Sequence, residues 1–351
     1  MGRPTIRDLA LQAGVSVATV NRVIGGGSGV RGPTMQRVLD AAAAIGFYGL
    51  GALQQRVQAA SGRLHRVGVL IQSPHRAYTQ TLAQALEAAA QHMPIDEDFG
   101  RTRVQVETLD DLSPEAAADL IQRLGAACDA LAVLAAEHPL VTDAIDAQAT
   151  SGVSVLALGS PLAARTPIGY VGLDSWKVGR TAAWACHHLC LPGSGGPGKL
   201  ALLVGTHRYR CHDLYESGFR SYLRERGTGH TLLEPQATFE SDAIARELTE
   251  RLLREHPDLS GLYVSGGGIA GVLAAVRERA GRHPLVTIGH DLMPVTRAGL
   301  LDGSLQLLIS HPFERLAREA LLATLRVRRQ GPPGGSLTVQ VPFEIHTSEN
   351  V

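Results

Sequence analysis

The hydrophobic positions change rhythm along the chain, and each rhythm predicts a different kind of structure. Near the N-terminus, Ile6, Leu9, Ala10, Val15, Val20, Val23, Val38, Leu39 and Ala42 recur at helical spacing. This pattern predicts three short amphipathic helices closed on a shared small core. Thr5 is suited to cap the first, over 6–13, because its hydroxyl can satisfy amides that have no intrahelical partner. Gly14 then breaks it. Ser16 is placed to cap a second helix over 17–24, which stops at Gly25-Gly26-Gly27, and Pro33 opens a third that runs through Ala44.

From Arg66 onward, short apolar runs alternate with amphipathic stretches, the signature of βα units around parallel sheets. The runs are 67–71, 104–108, 130–135, 153–158, 200–204, 261–264, 285–289 and 305–309. They are many for one open sheet, so a two-lobed α/β body is expected. The glycine-rich stretches 193–198 and 331–335 read as surface loops. No stretch offers the roughly 18 apolar residues of a bilayer span, and the first residues lack the apolar core of an export signal. A cytoplasmic protein with no membrane association is expected.

Composition changes this picture at two points. Cys128, Cys186, Cys190 and Cys211 are scattered, which fits reduced thiols rather than a disulfide framework. Cys186 and Cys190 would stand one turn apart on a helix, but no second ligand cluster lies at zinc-site spacing, so packing is expected, with no metal and no cofactor. The net charge of zero hides an asymmetry. Residues 1–63 carry seven arginines against Asp8 and Asp40, a net charge of +5, and the remainder therefore carries −5. A basic head on an acidic body suits attraction to a polyanion without general stickiness.

A helix-turn-helix needs a tight turn of small residues, so that one helix braces on the DNA backbone while the next enters the major groove. Ala13-Gly14-Val15-Ser16 supplies it. The run Thr5-Ile6-Arg7-Asp8-Leu9-Ala10, then this turn, then Ala18-Thr19-Val20-Asn21-Arg22-Val23, resembles the head of lactose-repressor (LacI) family regulators. The resemblance implies that Val17, Ala18 and Arg22 face base edges while Thr5, Ser16, Thr19 and Thr34 hold phosphates. Asn21 stands where the family usually has serine and keeps a hydrogen-bonding side chain. The chemistry agrees with the assignment: Arg22 can bind guanine O6 and N7 together, and Val17 and Ala18 offer apolar contact to a thymine methyl.

The rest of the chain is similar to the same family, whose bodies share the two-lobed fold of periplasmic sugar-binding proteins with a ligand cleft between the lobes. Val67–Ile71 resembles the first strand, and Val171-Gly172-Leu173-Asp174 with Gly179 resembles the crossover into the second lobe. Ser217-Gly218-Phe219 and Ile288-Gly289-His290-Asp291 follow in the family's order. The implied layout is a head over 1–48, a hinge over 49–63 and an effector-binding body over 64–351. Within the body, 64–171 and 303–330 form the first lobe, and 172–302 and 331–351 the second.

Ligands of parallel sheets sit beyond the strands' carboxyl ends, so polar residues following each apolar run are the cleft candidates. These are Ser73, His75, Arg76 and Tyr78; Glu137 and His138; Asp174; His207, Arg210, His212 and Tyr215; Ser265; and Asp291. Asp174 and Asp291 match positions where the family binds ligand hydroxyls, and a buried carboxylate needs such donors. Two departures weaken a standard hexose mode. Tyr215 replaces an arginine common three residues before Gly218-Phe219, and Ser265-Gly266 replaces a usual Asn-Asp pair. A polyol or sugar acid would suit the histidines and arginines as well as a sugar.

The rival reading is enzymatic: Gly266-x-Gly268-x-x-Gly271 follows a strand, and Asp291 lies 20 residues beyond, as in a dinucleotide fingerprint. No nucleophile elbow or metalloprotease motif accompanies it. The resemblance further implies a repressor acting as a homodimer on a pseudo-palindromic double-stranded operator. Its hinge would fold on DNA and insert a leucine, a position held here by Arg56, with Leu53 where an alanine is usual.

Overall fold

The computed structural model describes residues 4–25, 30, 32–51, 53, 63–73, 76–96, 98–110, 112–190, 198–279, 285–330 and 337–351. In the head, α1 (Ile6–Ala13), α2 (Val17–Gly25) and α3 (Gly32–Ala44) match the expected helices to within a residue at each end. Leu9, Ala10, Val20, Val23, Val38, Leu39 and Ala42 are buried together, and Ile6 and Val15 pack at the rim. Leu53 also joins this core and is 3% exposed, its amide donating to the Gly49 carbonyl at 3.0 Å. Among the described hinge residues, Leu53 is therefore held inside the head, with Leu50 packed against the same core. Arg56 lies outside the described residues.

The body holds two sheets. The first contains β1 (Leu64–Gln72), β2 (Arg101–Leu109), β3 (Ala130–Leu134), β4 (Ser154–Leu158), β5 (Gly169–Gly172) and β12 (Thr338–Gln340), in the order β12-β5-β4-β3-β1-β2. Its pairings are parallel, with Val67 opposite Val104 on one side and Ala130 on the other. The second contains β6 (Lys199–Val204), β7 (Thr231–Leu232), β9 (Leu259–Ser265), β10 (Val286–His290), β11 (Leu307–Ser310) and β13 (Glu344–His346), in the order β13-β11-β10-β9-β6-β7. The short β8 (Gln236–Ala237) pairs with β6, and β13 alone is antiparallel, on β11. Central strands such as β3, buried at every residue, explain the unbroken apolar runs, since helices cover both faces.

The connecting helices are α4 (Ala77–His92), α5 (Pro114–Ala127) and α6 (Pro139–Thr150) in the first lobe, and α7 (Ser175–Leu189), α8 (Arg210–Arg226), α9 (Asp242–Glu255), α10 (Ile269–Glu278) and α11 (Pro294–Asp302) in the second. α12 (Phe313–Gln330) returns to pack on the first sheet. Glycines 179 and 218 let α7 and α8 touch: a Cβ on either would lie 1.9 Å from the Tyr215 carbonyl or 2.1 Å from that of Trp176.

The chain crosses between lobes at 172–175, 310–313 and 341–343. This corrects two boundaries expected from sequence. Residues 303–310 belong to the second lobe, because β11 pairs with β10, and β12 belongs to the first, because it pairs with β5. A three-residue strand such as β12 carries too little periodicity to assign from sequence.

Candidate functional site: a reading face and an interlobe cleft

The head places its outward residues by local means. Thr5 and Asp8 form a reciprocal capping box: Asp8 Oδ2 accepts from the Thr5 amide at 2.8 Å, and the Asp8 amide donates to Thr5 Oγ1 at 3.3 Å. These bonds hold the Asp8 carboxyl below its usual range. Gly14 ends α1 in a left-handed conformation, φ 63°, which turns the chain into α2. Ser16 then caps α2, its Oγ accepting from the Thr19 amide at 3.1 Å and lying 2.9 Å from the Thr19 hydroxyl. With Val20 and Val23 turned inward, Val17, Ala18, Asn21 and Arg22 form an exposed stripe on one face of α2. Thr5 and Ser16 are exposed, and Thr19 and Thr34 are half-buried.

The body's cleft is a cavity of about 450 Å³ at the carboxyl ends of β1, β6, β9 and β10, where the strand order of each sheet reverses. Five of the sequence candidates line it: Arg76, Tyr78, His212, Tyr215 and Asp291. Asp291, with φ 60°, is buried, and its Oδ1 accepts from both the amide and Nδ1 of His311 at 2.8 Å. Burial pushes its pKa up, but the His311 charge and hydrogen bonds outweigh this, so the carboxylate titrates below its usual range. Oδ2 has no hydrogen bond among the described residues. His290 stacks beside Tyr215 at 4.9 Å and meets the Tyr263 hydroxyl at 2.7 Å. Burial pulls its pKa down to about 3, which makes it a neutral donor or acceptor. Burial likewise lowers the pKa of His212, against the opposing pull of Glu240.

The other candidates stand outside this lining. Asp174 caps α7, its Oδ1 accepting from the Lys177 amide at 3.1 Å while Oδ2 pairs with Lys177 Nζ at 2.9 Å. Glu137 accepts from the Ala163 amide at 2.9 Å and lies 3.7 Å from Arg210 Nη1, so this pair ties the lobes at the rim. Ser265 is turned to the Leu203 carbonyl at 3.4 Å, and Ser73, φ 63°, bends the chain after β1. His138 caps α6, and His207 pairs with Glu216 at 3.1 Å. His75 lies outside the described residues.

Sequence reasoning missed Gln72, Tyr209, Glu240 and His311. Gln72 Oε1 accepts from the Ala136 amide at 2.7 Å and lies 3.4 Å from the Tyr209 hydroxyl of the opposite lobe. Glu240 follows β8, a two-residue strand with no periodic signal. It pairs across the cleft with Arg76, and its Oε2 accepts from the Gly267 amide at 2.6 Å. The glycines of the dinucleotide-like motif have other uses: Gly267 donates to Glu240, and Gly268 starts α10 in a left-handed conformation, φ 100°. Gly271 serves helix contact, a Cβ there falling 1.8 Å from the Asp242 carbonyl.

A helix-turn-helix head on a two-lobed body with a central cleft defines a ligand-responsive DNA-binding regulator. Residues 67–330 match the family described as periplasmic binding protein domain, and residues 5–49 match the bacterial regulatory proteins of the lacI family. The chain belongs to the periplasmic binding protein domain family, and its head makes it a regulator of the lacI type. It is 26% identical over 300 residues to the HTH-type transcriptional regulator GntR of Pseudomonas aeruginosa, a match covering 84% of this chain and 81% of that one. In fold it is similar to GanP, a glucose-galactose binding protein from Geobacillus stearothermophilus, with a TM-score of 0.70 and 15% identity over 82% of this chain and 99% of that one. A carbohydrate transporter solute binding protein from Agrobacterium radiobacter in complex with D-arabinose matches equally, at a TM-score of 0.70 and 15% identity over 82% and 95% of the two chains. Among the described residues, no helix is long and apolar enough to cross a membrane.

Proposed function

We propose that this regulator is a cytoplasmic homodimeric repressor that reads a pseudo-palindromic operator with α2, and that a sugar, polyol or sugar acid bound between the lobes sets its DNA affinity. Arg22, Val17, Ala18 and Asn21 would meet base edges, and Thr5, Ser16, Thr19 and Thr34 the phosphates. A two-fold dimer demands inverted half-sites. The observation that carries the effector reading is the cleft itself: neutral imidazoles, a fixed carboxylate and aromatic faces converge on an enclosed space of about 450 Å³, the scale of a small-molecule site. The sugars in the names of the similar structures support the same reading.

A single element gives the cleft a route to the head. α12 begins beside the cavity, where His311 holds Asp291 and Phe313 packs edge-on to Tyr78 at 5.3 Å between centroids. It ends where Arg328 Nη1 meets the buried His65 at 2.9 Å and Nη2 meets Asp129 at 3.1 Å. Arg329 pairs there with Asp96 at 2.7 Å. His65 lies in β1, the strand that follows the hinge, so a shift of the lobes moves the base on which the heads stand. Cleft residues respond to ligand and α2 responds to DNA, and the function proposed is regulation.

The test is a thermal-shift screen of sugars, polyols and sugar acids on the full-length protein, followed by operator binding with and without the best hit. A ligand selective for the folded body raises its melting temperature by mass action. A hit that shifts melting and changes operator affinity supports the reading; the absence of any hit across the screen contradicts it.

A further inference from the structure

Glu240 is held in the cavity at a conformational cost. Phe239 and Glu240 both take the left-handed backbone region, φ 49° and 64°, which residues other than glycine seldom enter. The bend brings the Glu240 carboxylate over the turn that precedes α10. There Oε2 accepts from the Gly267 amide at 2.6 Å and pairs with the Arg76 guanidinium of the other lobe. His212 Nδ1 lies 3.8 Å from Oε1 but is bonded to the Thr206 carbonyl at 2.8 Å. The side chain is 8% exposed, yet Oε1 is sealed from solvent with no hydrogen-bond partner among the described residues.

A backbone amide at a helix entrance and a guanidinium aimed at one point make a donor set for a carboxylate. The chain fills that set with a carboxylate of its own, on a bent segment whose neighbour Phe239 is 70% exposed and free of the core. A Cβ on Gly267 would lie 2.3 Å from Glu240 Oε2, so the carboxylate sits directly against bare backbone. Asp291 cannot play this part, because His311 fixes its Oδ1; it remains an acceptor for ligand hydroxyls.

We propose that Glu240 is an internal stand-in for the effector's carboxylate: the effector is a small polyhydroxylated acid whose carboxylate takes the Gly267 amide and Arg76 and displaces Glu240 from the cavity. The inference rests on the cleft being the effector site. Exchange of one carboxylate for another leaves the charge around Arg76 unchanged, whereas an acid entering beside Glu240 would set two anions against one guanidinium. A neutral polyol offers nothing that repays the loss of the Arg76–Glu240 pair. Displacement also breaks this bond between the lobes, which couples acid binding to their relative position.

Calorimetric titration of the full-length protein tests this, with a panel of aldonates and uronates, each paired with its neutral alditol and aldose. The wild type should bind an acid and ignore its neutral partners. Glu240→Ala and the isosteric Glu240→Gln should each bind that acid about tenfold more tightly, having lost the charged competitor. Arg76→Met should lose it. Weaker acid binding by both Glu240 variants would make Glu240 a direct ligand contact and overturn the proposal. Binding of neutral members with no response to acids would overturn it while leaving the cleft as the effector site, and silence toward the entire panel would remove both.

Discussion

In the head, the outward stripe Val17, Ala18, Asn21 and Arg22 falls within six consecutive residues of one helix, fixed by its own cap and a small local core. In the cleft, the lining comes from segments at or after the ends of β1, β3, β4, β6, β8, β9, β10 and β11, and it exists only while the two lobes face one another. The head is therefore a surface whose parts can be changed one at a time. The cleft is a relation between distant loops, where a change in one partner alters what the others can reach.

Paired substitutions sharpen that contrast, beginning with the cleft. Asp291→Ala removes the carboxylate that His311 positions, and the effector-induced rise in melting temperature should disappear while operator binding persists. Asp174→Ala should cost only about 1 kcal/mol of stability as a lost helix cap, with effector affinity intact. Isothermal titration of both variants separates them, and equal losses of effector affinity would return Asp174 to the site. In the head, Leu53→Ala should destabilise the three-helix unit by roughly 2–4 kcal/mol, the range for an apolar side chain removed from a core. Circular dichroism of the head in a urea series measures it, and an unchanged midpoint would release Leu53 from the core.

A smaller effect is expected at the reading face. Arg22→Ala should weaken operator binding by about 1–3 kcal/mol per half-site and relax base preference there, with the effector response untouched. Fluorescence anisotropy against operator variants reads both quantities. A further effect distinguishes the regions by pH. The head contains no histidine, whereas burial holds His65 down to about 4 and His290 to about 3. Both groups bind protons more weakly folded than unfolded, so their contribution is complete above about pH 6.5 and is lost as pH falls toward those values. The body should lose on the order of 2 kcal/mol per pH unit between about 6 and 4, with about 1 from each histidine, and the head should not. Both tryptophans, Trp176 and Trp184, lie in the body, so their fluorescence follows that half alone.

The same contrast explains what could be read from the chain. Thr5, Gly14 and Ser16 act within three or four residues of themselves, so spacing alone locates the caps, the turn and the exposed face. The long strands are legible because burial on both faces imposes unbroken apolar runs. Residues following those runs include Arg76, His212 and Asp291, which reach the cavity, and also Asp174 and Glu137, which cap a helix or tie the rim. No local pattern separates the two groups, since the decision lies in which loop faces which across the lobes. Glu240 leaves no signal at all: its strand is two residues long, and its role comes from Arg76 and Gly267, distant in sequence.

Control of the head by the cleft is read in operator affinity measured with and without a cleft ligand. Full-length wild type, titrated onto operator DNA at fixed salt, should change its Kd by about 5–150-fold when a ligand that raises its melting temperature is added. Asp291→Ala should hold one affinity throughout. A ligand that binds the wild-type cleft yet leaves the operator Kd unchanged would contradict the account.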